Sequence, residues 1–251
     1  MTRRLLSLAF WAFMLVSSLL LFPIALLLWA LTAPFDRRRV ILHRFTCFWG
    51  SLYTWLNPAW RLQIAGREKI RSGEAYVMVS NHLSLLDILV MMRLFRHFMW
   101  VSKVENFRVP LIGWNMSLVG YIKLRRGDRA SVIEMLKQCR QTLEAGNSVM
   151  MFPEGTRSPD GRMRSFKPGA FEIALQARRP ILPIAIEGTA DALPKRGFVL
   201  RGRYRLQLTV LDPIPYAAFA GDSVEQLTER VRGQIARQVE AGEPARAATG
   251  T

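Results

Sequence analysis

After Gly66 the chain alternates short apolar runs with stretches of helical periodicity, and this alternation restricts the folds that are open to it. We interpret six of the apolar runs as strands, at residues 75–79, 98–101, 121–124, 148–152, 181–186 and 204–211. Strands that alternate with helices form a mostly parallel sheet that is covered on both faces. The sequence therefore predicts an α/β fold in which a mostly parallel central sheet is flanked by helices.

Two helices of this domain have recognisable ends. In residues 129–145 the apolar side chains form one stripe, Asp128 is a suitable N-cap and Gly146 a suitable stop. The last helix follows a capping box of Ser223 and Gln226. Its apolar stripe consists of Val224, Leu227, Val231 and Ile235. The small residues of the tail, 243–251, predict disorder.

A long uncharged segment precedes the domain. Residues 5–33 contain no Asp, Glu, Lys or Arg, and as a straight helix they would measure about 43 Å, against about 30 Å for a bilayer core. We predict a membrane helix, either one tilted helix or two shorter arms bent near Pro23. A cleaved signal peptide is disfavoured, because the apolar part is too long and residues 31–34 form a poor cleavage site.

The flanks of this segment bear on topology and domain boundaries. Two arginines precede it and four follow it, at 37–39 and 44, and this excess favours an inner-membrane protein whose C-terminal domain is cytoplasmic. Residues 40–60 are dense in aromatic side chains, which favours a helix at the lipid interface; a packed first helix of the domain is the alternative. We divide the chain into a membrane-associated segment at 1–62, an α/β domain at 63–242 and the tail at 243–251.

The charge balance suits an anionic partner. The chain has 35 Lys and Arg against 19 Asp and Glu, a formal net charge of +16. Nucleic acid, an anionic membrane surface and phosphorylated substrates all satisfy this balance. The two cysteines, Cys47 and Cys139, lie in apolar stretches, so we expect a reducing compartment and no disulfide framework.

A histidine and an aspartate follow the first predicted strand. His82 and Asp87 are five residues apart in the stretch NHLSLLD. A histidine can take a proton from an alcohol, and a carboxylate on its other ring nitrogen fixes the tautomer. Alternatively, Ser84 and Asp87 form a helix capping box, and His82 is an ordinary strand-end residue. The two roles are compatible.

A second polar stretch, FPEGTRS at 152–158, also follows an apolar run. Glu154 can accept hydrogen bonds, Gly155 permits close approach of the backbone, and Arg157 can bind a phosphate through two hydrogen bonds. The alternative is an ordinary loop in which Glu154 pairs with Arg157. Reactive groups gather at the carboxyl ends of strands in open α/β sheets, so both stretches are predicted to share one site.

These stretches resemble the motif blocks of the 1-acyl-sn-glycerol-3-phosphate acyltransferases, a family of glycerolipid acyltransferases. The family's NHxxxxD and FPEGTRS blocks match residues 81–87 and 152–158 without a change. Looser matches are found at 120–126, 166–169 and 181–186, and in the first of these Lys123 and Arg125 replace an aromatic residue and an acid. The resemblance covers residues 66–212.

The resemblance implies a glycerolipid acyltransferase-like fold and assigns roles to individual residues. His82 and Asp87 would be catalytic, and Lys103 and Arg157 would bind the substrate phosphate in a pocket that Glu154 and Gly155 shape. The full set of implied substrate-binding residues is Lys103, Arg126, Glu154, Gly155, Thr156, Arg157 and Pro183. A proline within a predicted strand also suits a sheet edge or a bulge beside a site.

The implied reaction transfers a fatty acyl group from acyl-CoA or acyl-carrier protein to the sn-2 hydroxyl of lysophosphatidic acid, which forms phosphatidic acid for phospholipid biosynthesis. The expected partners are lysophosphatidic acid, the acyl donor and membrane lipids, without nucleic acid, cofactor or metal. One alternative is another lysophospholipid or a lyso-aminolipid as acceptor. Another is a non-catalytic membrane protein that binds anionic lipid.

Overall fold

The computed structural model describes residues 2–193, 199–200 and 203–247. Its strands form one seven-stranded sheet. We number them β1 Trp60–Ala65, β2 Val77–Ser80, β3 Phe98–Lys103, β4 Ile122–Leu124, β5 Ser148–Met151, β6 Ile181–Glu187 and β7 Tyr204–Val210. Each of the six predicted runs overlaps one of the strands β2 to β7.

Helices flank this sheet. The α-helices are α1 Thr2–Thr32, α2 Val40–Trp55, α3 Leu86–Met92, α4 Ile112–Val119, α5 Arg129–Glu144, α6 Gly169–Ala177, α7 Thr189–Ala192 and α8 Val224–Ala247. The strand order is β1-β7-β6-β2-β5-β3-β4, and every neighbouring pair is parallel except β6 with β7. The predicted α/β fold with a mostly parallel sheet is confirmed.

The central strands are the ones that the sequence pattern predicts most directly. All residues of β2, β5 and β6 are buried, and strands covered on both faces have continuous apolar sequences. The prediction missed β1 at the sheet edge, because its first residue, Trp60, was grouped with the aromatic-rich segment before it. Its alternation of apolar and polar residues, WRLQIA, is the signal that identifies a half-exposed strand.

The predicted helix ends of α5 and α8 agree with the structure. Asp128 accepts a hydrogen bond from the Ser131 N–H at 3.2 Å. Ser223 and Gln226 form both bonds of the capping box, at 2.8 and 3.2 Å. Helix α8 extends to Ala247, into the tail for which disorder is predicted, and residues 248–251 lie outside the described residues.

Pro183 does not lie at a sheet edge or a bulge, which corrects the prediction made for it. Strand β6 lies between β7 and β2, and Pro183 is in register with Val79 of β2. Its carbonyl accepts a bond from the Leu211 N–H at 3.0 Å, one residue past the end of β7. The missing N–H of the proline therefore falls beyond the regular ladder, where its loss is tolerated.

Helix α1 is continuous through Pro23, and it packs against α2. The Ser17 hydroxyl, for example, lies 3.0 Å from the Tyr53 hydroxyl. Over Arg4–Thr32, α1 is long and apolar enough to cross a membrane, with a mean hydropathy of 2.4, although core helices and signal sequences pass the same test. Only 17% of its apolar window is buried, which disfavours a core helix.

Helix α2 combines features of both interpretations of residues 40–60. One face is packed in the domain, with His43, Cys47 and Trp49 buried. Ile41, Phe48 and Trp55 are exposed. The helix ends at Trp55, so the packed-helix alternative is correct for one face of α2, and residues 56–60 are not part of it.

Candidate active site

His82 and Asp87 are in direct contact in the turn between β2 and α3. The Nδ1 atom of His82 lies 2.8 Å from Oδ2 of Asp87. The same oxygen accepts the N–H groups of Leu83 at 2.6 Å and Ser84 at 2.8 Å, and Oδ1 accepts the hydroxyl of Thr189. Asp87 is fully buried, and a buried carboxylate is tolerated when its oxygens are hydrogen-bonded in this way.

This turn contains the hydrogen bonds that both the capping-box and the catalytic interpretation require. The bond from the Ser84 N–H to Asp87 is the reciprocal bond of a capping box, and the Leu86 N–H reaches the Ser84 hydroxyl at 3.3 Å. Asp87 therefore shapes the start of α3 and orients His82 at the same time. The local helix start places the carboxylate where the imidazole needs it.

The turn that holds His82 makes two further contacts, one with β6 and one with a residue just past β6, and neither was predicted from the sequence. The side-chain amide of Asn81 donates to the Ile186 carbonyl and accepts from the Ile186 N–H, both at 2.8 Å. Thr189, two residues beyond β6, holds Asp87. Thr189 could have been identified as a candidate from its position just past the carboxyl end of a predicted strand, where site residues gather.

Glu154 joins the two motif blocks through the backbone. Its Oε1 accepts the His82 N–H at 2.7 Å, and its Oε2 accepts the Arg164 N–H at 3.1 Å. The Ser158 N–H donates to the His82 carbonyl at 2.9 Å, so the loop binds His82 on both sides. Burial raises the pKa of Glu154 to about 7, and the two backbone bonds oppose that rise. Both carboxylate oxygens are thus engaged with the backbone.

Aromatic rings cover one face of His82. The ring of Phe152 lies parallel to the imidazole, at a centroid separation of 4.0 Å and an interplanar angle of 7°. Trp100 packs on Phe152 at 5.3 Å and 33°. Neither ring was predicted from the sequence to contact His82, although Phe152 is the first residue of the second block.

His82 lines a cavity of about 670 Å³. Its walls are mainly apolar, and they are built by residues of the helices α1 to α6 and the strands β3 to β5. Examples are Phe10, Met14, Trp49, Met92, Met116 and Met135. Three cationic side chains also line the cavity: Lys103, Arg126 and Lys167. Lys103 makes an ion pair with Glu105 at 3.2 Å.

The predicted site residues fall into three groups. His82, Lys103, Arg126 and Gly155 line the cavity, and Asp87 and Glu154 are buried partners of His82. Thr156 and Arg157 are half-buried in the same loop as Glu154, and burial lowers the pKa of Arg157 while Asp87 opposes the shift. Pro183 is buried in β6 and is not among the residues that line the cavity.

Several known proteins are similar in sequence to this chain. A 1-acyl-sn-glycerol-3-phosphate acyltransferase of Chlamydomonas reinhardtii is 40% identical over 186 residues, which cover 73% of this chain and 55% of that protein. A chloroplastic 1-acyl-sn-glycerol-3-phosphate acyltransferase of Arabidopsis thaliana is 36% identical over 210 residues, which cover 82% of this chain and 56% of that protein. The chain spans a little over half the length of these curated relatives.

A solved structure and a family model give the same classification. The crystal structure of PlsC, the 1-acyl-sn-glycerophosphate (LPA) acyltransferase of Thermotoga maritima, has a TM-score of 0.70 and 25% identity, and the match covers 91% of this chain and 95% of that chain. The family model described as Acyltransferase matches residues 61–187. This range is about half of the chain, and it holds His82, Asp87 and the loop at 152–158. The chain therefore belongs to the acyltransferase family.

Proposed function

We propose that the protein transfers a fatty acyl group from a thioester, acyl-CoA or acyl-carrier protein, to the sn-2 hydroxyl of 1-acyl-sn-glycerol-3-phosphate. One observation carries the proposal: the His82–Asp87 pair lies on a mainly apolar cavity that Lys103, Arg126 and Lys167 also line. Apolar walls suit fatty chains, and cationic side chains suit a phosphate. The relatives named as 1-acyl-sn-glycerol-3-phosphate acyltransferases support the same acceptor.

The geometry favours His82 as the general base. Asp87 holds Nδ1, which leaves Nε2 to take the proton of the acceptor hydroxyl. The hydroxyl oxygen then bonds to the thioester carbonyl carbon, the C–S bond breaks, and the proton passes from Nε2 to the departing sulfur. The products are phosphatidic acid and a free thiol, and the imidazole returns to its neutral form. Asp87 stabilises the imidazolium that exists between the two proton transfers.

We infer that the protein works at a membrane. Helix α1 exposes most of its apolar window, and α2 exposes Ile41, Phe48 and Trp55. Such surfaces suit contact with lipid, where the acceptor and the product both reside. Four arginines follow α1, Arg37, Arg38, Arg39 and Arg44, against two in its first turn, and this excess favours the inner membrane with the catalytic domain on the cytoplasmic side, as an extension of this proposal.

The test is acyl transfer by the detergent-solubilised full chain and its His82→Ala variant. Lysophosphatidic acid and lysophosphatidylcholine are offered separately, each with acyl-CoA and with acyl-carrier protein. We expect product from the wild type with lysophosphatidic acid and a loss of at least about 1,000-fold in the variant, because the general base is absent. Equal turnover by the variant would contradict the mechanism, and product only with lysophosphatidylcholine would replace the proposed acceptor.

A further inference from the structure

Three aromatic rings form a continuous chain of contacts from the interior of the domain to the active site. Trp100, which is 4% exposed, packs against Phe98 at 5.2 Å and against Phe152 at 5.3 Å. Phe152 in turn covers the imidazole of His82. Because Trp100 and Phe98 belong to β3 and are buried, the position of the Phe152 ring is determined by the core.

The contact between Phe152 and His82 is closer than two neutral rings prefer. Aromatic pairs favour offset or edge-to-face arrangements with centroids about 4.5–7 Å apart. Here the separation is 4.0 Å and the planes differ by only 7°. The backbone bonds of His82 to Glu154 and Ser158 hold the two chain segments together at this point. The face of an aromatic ring attracts a cation within about 6 Å, so this geometry suits a positively charged imidazole.

Asp87 and Phe152 constrain the imidazole in different ways. The hydrogen bond to Asp87 holds one ring nitrogen, but the ring can still tilt about that bond. The parallel contact with Phe152 limits the tilt. Together they determine the direction in which Nε2 points.

We propose that Phe152 is a positioning residue that acts through His82: it holds the plane of the imidazole and stabilises the positive charge that His82 acquires during proton transfer. The expected effect of Phe152 on turnover rests on the proposed function. Phe152 exchanges no proton or electron, so the proton transfers are those already described for His82 as the general base. The stabilisation of a cation by a ring face corresponds to about a 3- to 30-fold effect on rate.

The experiment compares Phe152→Leu, which removes the ring face, with Phe152→Tyr, which keeps it. The control is Phe219→Leu, because Phe219 is a buried ring that packs on Tyr216 and is not among the residues that line the cavity. We expect kcat to fall about 3- to 30-fold in Phe152→Leu with a smaller change in KM. The acidic limb of its pH profile should move to lower pH, since the protonated imidazole is less favoured. Phe152→Tyr and Phe219→Leu should resemble the wild type.

A second readout does not depend on the identity of the substrate. The chain has three histidines, so the His82 imidazole can be assigned by NMR with the His82→Ala variant and titrated directly. A midpoint at lower pH in Phe152→Leu, with a wild-type midpoint in Phe152→Tyr, supports the role even if the proposed acceptor fails. Superimposable titrations of the wild type and Phe152→Leu would overturn it, as would a shift in Phe152→Tyr equal to that in Phe152→Leu.

Discussion

At the residue scale, each motif side chain has several partners, and their number determines which substitutions are tolerated. Asp87 binds one imidazole, two backbone N–H groups and one hydroxyl. Glu154 binds two backbone N–H groups from different segments. A carboxylate that accepts from several donors has no equivalent among neutral side chains, because an amide brings its own donors. We therefore expect conservative changes at these positions to weaken the hydrogen bonds that hold His82 and to destabilise the fold.

The pH dependence of stability should change in a Glu154→Gln variant. The pKa of Glu154 is raised from 4.5 to about 7 in the folded chain, so its stabilising contribution is complete below pH 4.5 and is lost as the pH rises through about 7. We expect the difference in Tm, wild type minus variant, to decrease between pH 5 and pH 8. Thermal unfolding at several pH values measures it. A difference that stays constant with pH would show that Glu154 does not titrate in this range.

The cationic residues of the cavity should determine affinity for a phosphorylated acceptor. Arg126→Ala or Lys103→Ala is expected to raise KM for lysophosphatidic acid about 10-fold, near the low end for hydrogen bonds to charged groups, because both side chains are partly exposed. KM for lysophosphatidylcholine should change less. Arg140→Ala is the matched control, since Arg140 is exposed on α5 and pairs with Glu144. Equal increases in KM for lysophosphatidic acid in all three variants would contradict the assignment of Lys103 and Arg126 to phosphate binding.

At the element scale, the site depends on how β2, β5 and β6 are held together. These strands are neighbours in the sheet, and their carboxyl ends carry His82, the loop at 152–158 and Thr189. Asn81 extends the connection of β2 to β6 past the end of β2 through its two bonds to Ile186. The Asn81 side chain thus makes the hydrogen bonds that a backbone partner would make in a strand pair, at the point where the turn to α3 begins.

Asn81→Ala should destabilise this junction. The substitution leaves the N–H and C=O groups of Ile186 without their partner in a fully buried position, which costs about 1–3 kcal/mol for each group. Urea unfolding of the variant should therefore show a loss of about 2–6 kcal/mol. Asn57→Ala, which removes one side-chain bond to the Ala59 N–H, is the control and should cost less. Similar losses in both variants would contradict a special role for Asn81.

At the scale of the whole molecule, an apolar helix and a strongly basic chain occur together. Helix α1 lies against the domain and contributes Phe10, Trp11 and Met14 to the cavity wall. The net charge of +16 adds attraction to anionic surfaces. The two contributions differ in their response to salt, because charge attraction is screened and apolar insertion is not.

Vesicle binding should separate the two contributions. We expect the full chain to bind phosphatidylcholine vesicles at both 0.1 M and 1 M salt through α1, and to bind vesicles that contain anionic phospholipid more strongly at low salt only. Co-sedimentation of protein with vesicles of each composition measures this. Complete release from phosphatidylcholine vesicles would show that α1 does not insert, and the membrane role would then depend on charge.

Six of the seven strands, the helix ends and the two motif blocks could be predicted from the amino-acid sequence, because each depends on neighbours along the chain. Apolar runs such as that of β6 follow from burial on both faces, and Asp128 and Ser223 act within one helical turn. Even the contact of His82 with Asp87 spans only five residues, so the spacing contained the information. The edge strand β1 was missed because its alternation is short and adjoins an aromatic-rich segment.

The contacts between segments that are distant in sequence are established only when the chain is folded. The bonds of Glu154 to His82, of Thr189 to Asp87 and of Asn81 to Ile186 cross from one strand end to another, and nothing in the local pattern specifies them. The interior place of Pro183 was likewise set by strand order, which local propensities do not encode. The cavity and the parallel contact of Phe152 with His82 arise from the packing of side chains from different elements. Such packing is a property of the folded chain, because the position of each cavity wall depends on the positions of the other walls.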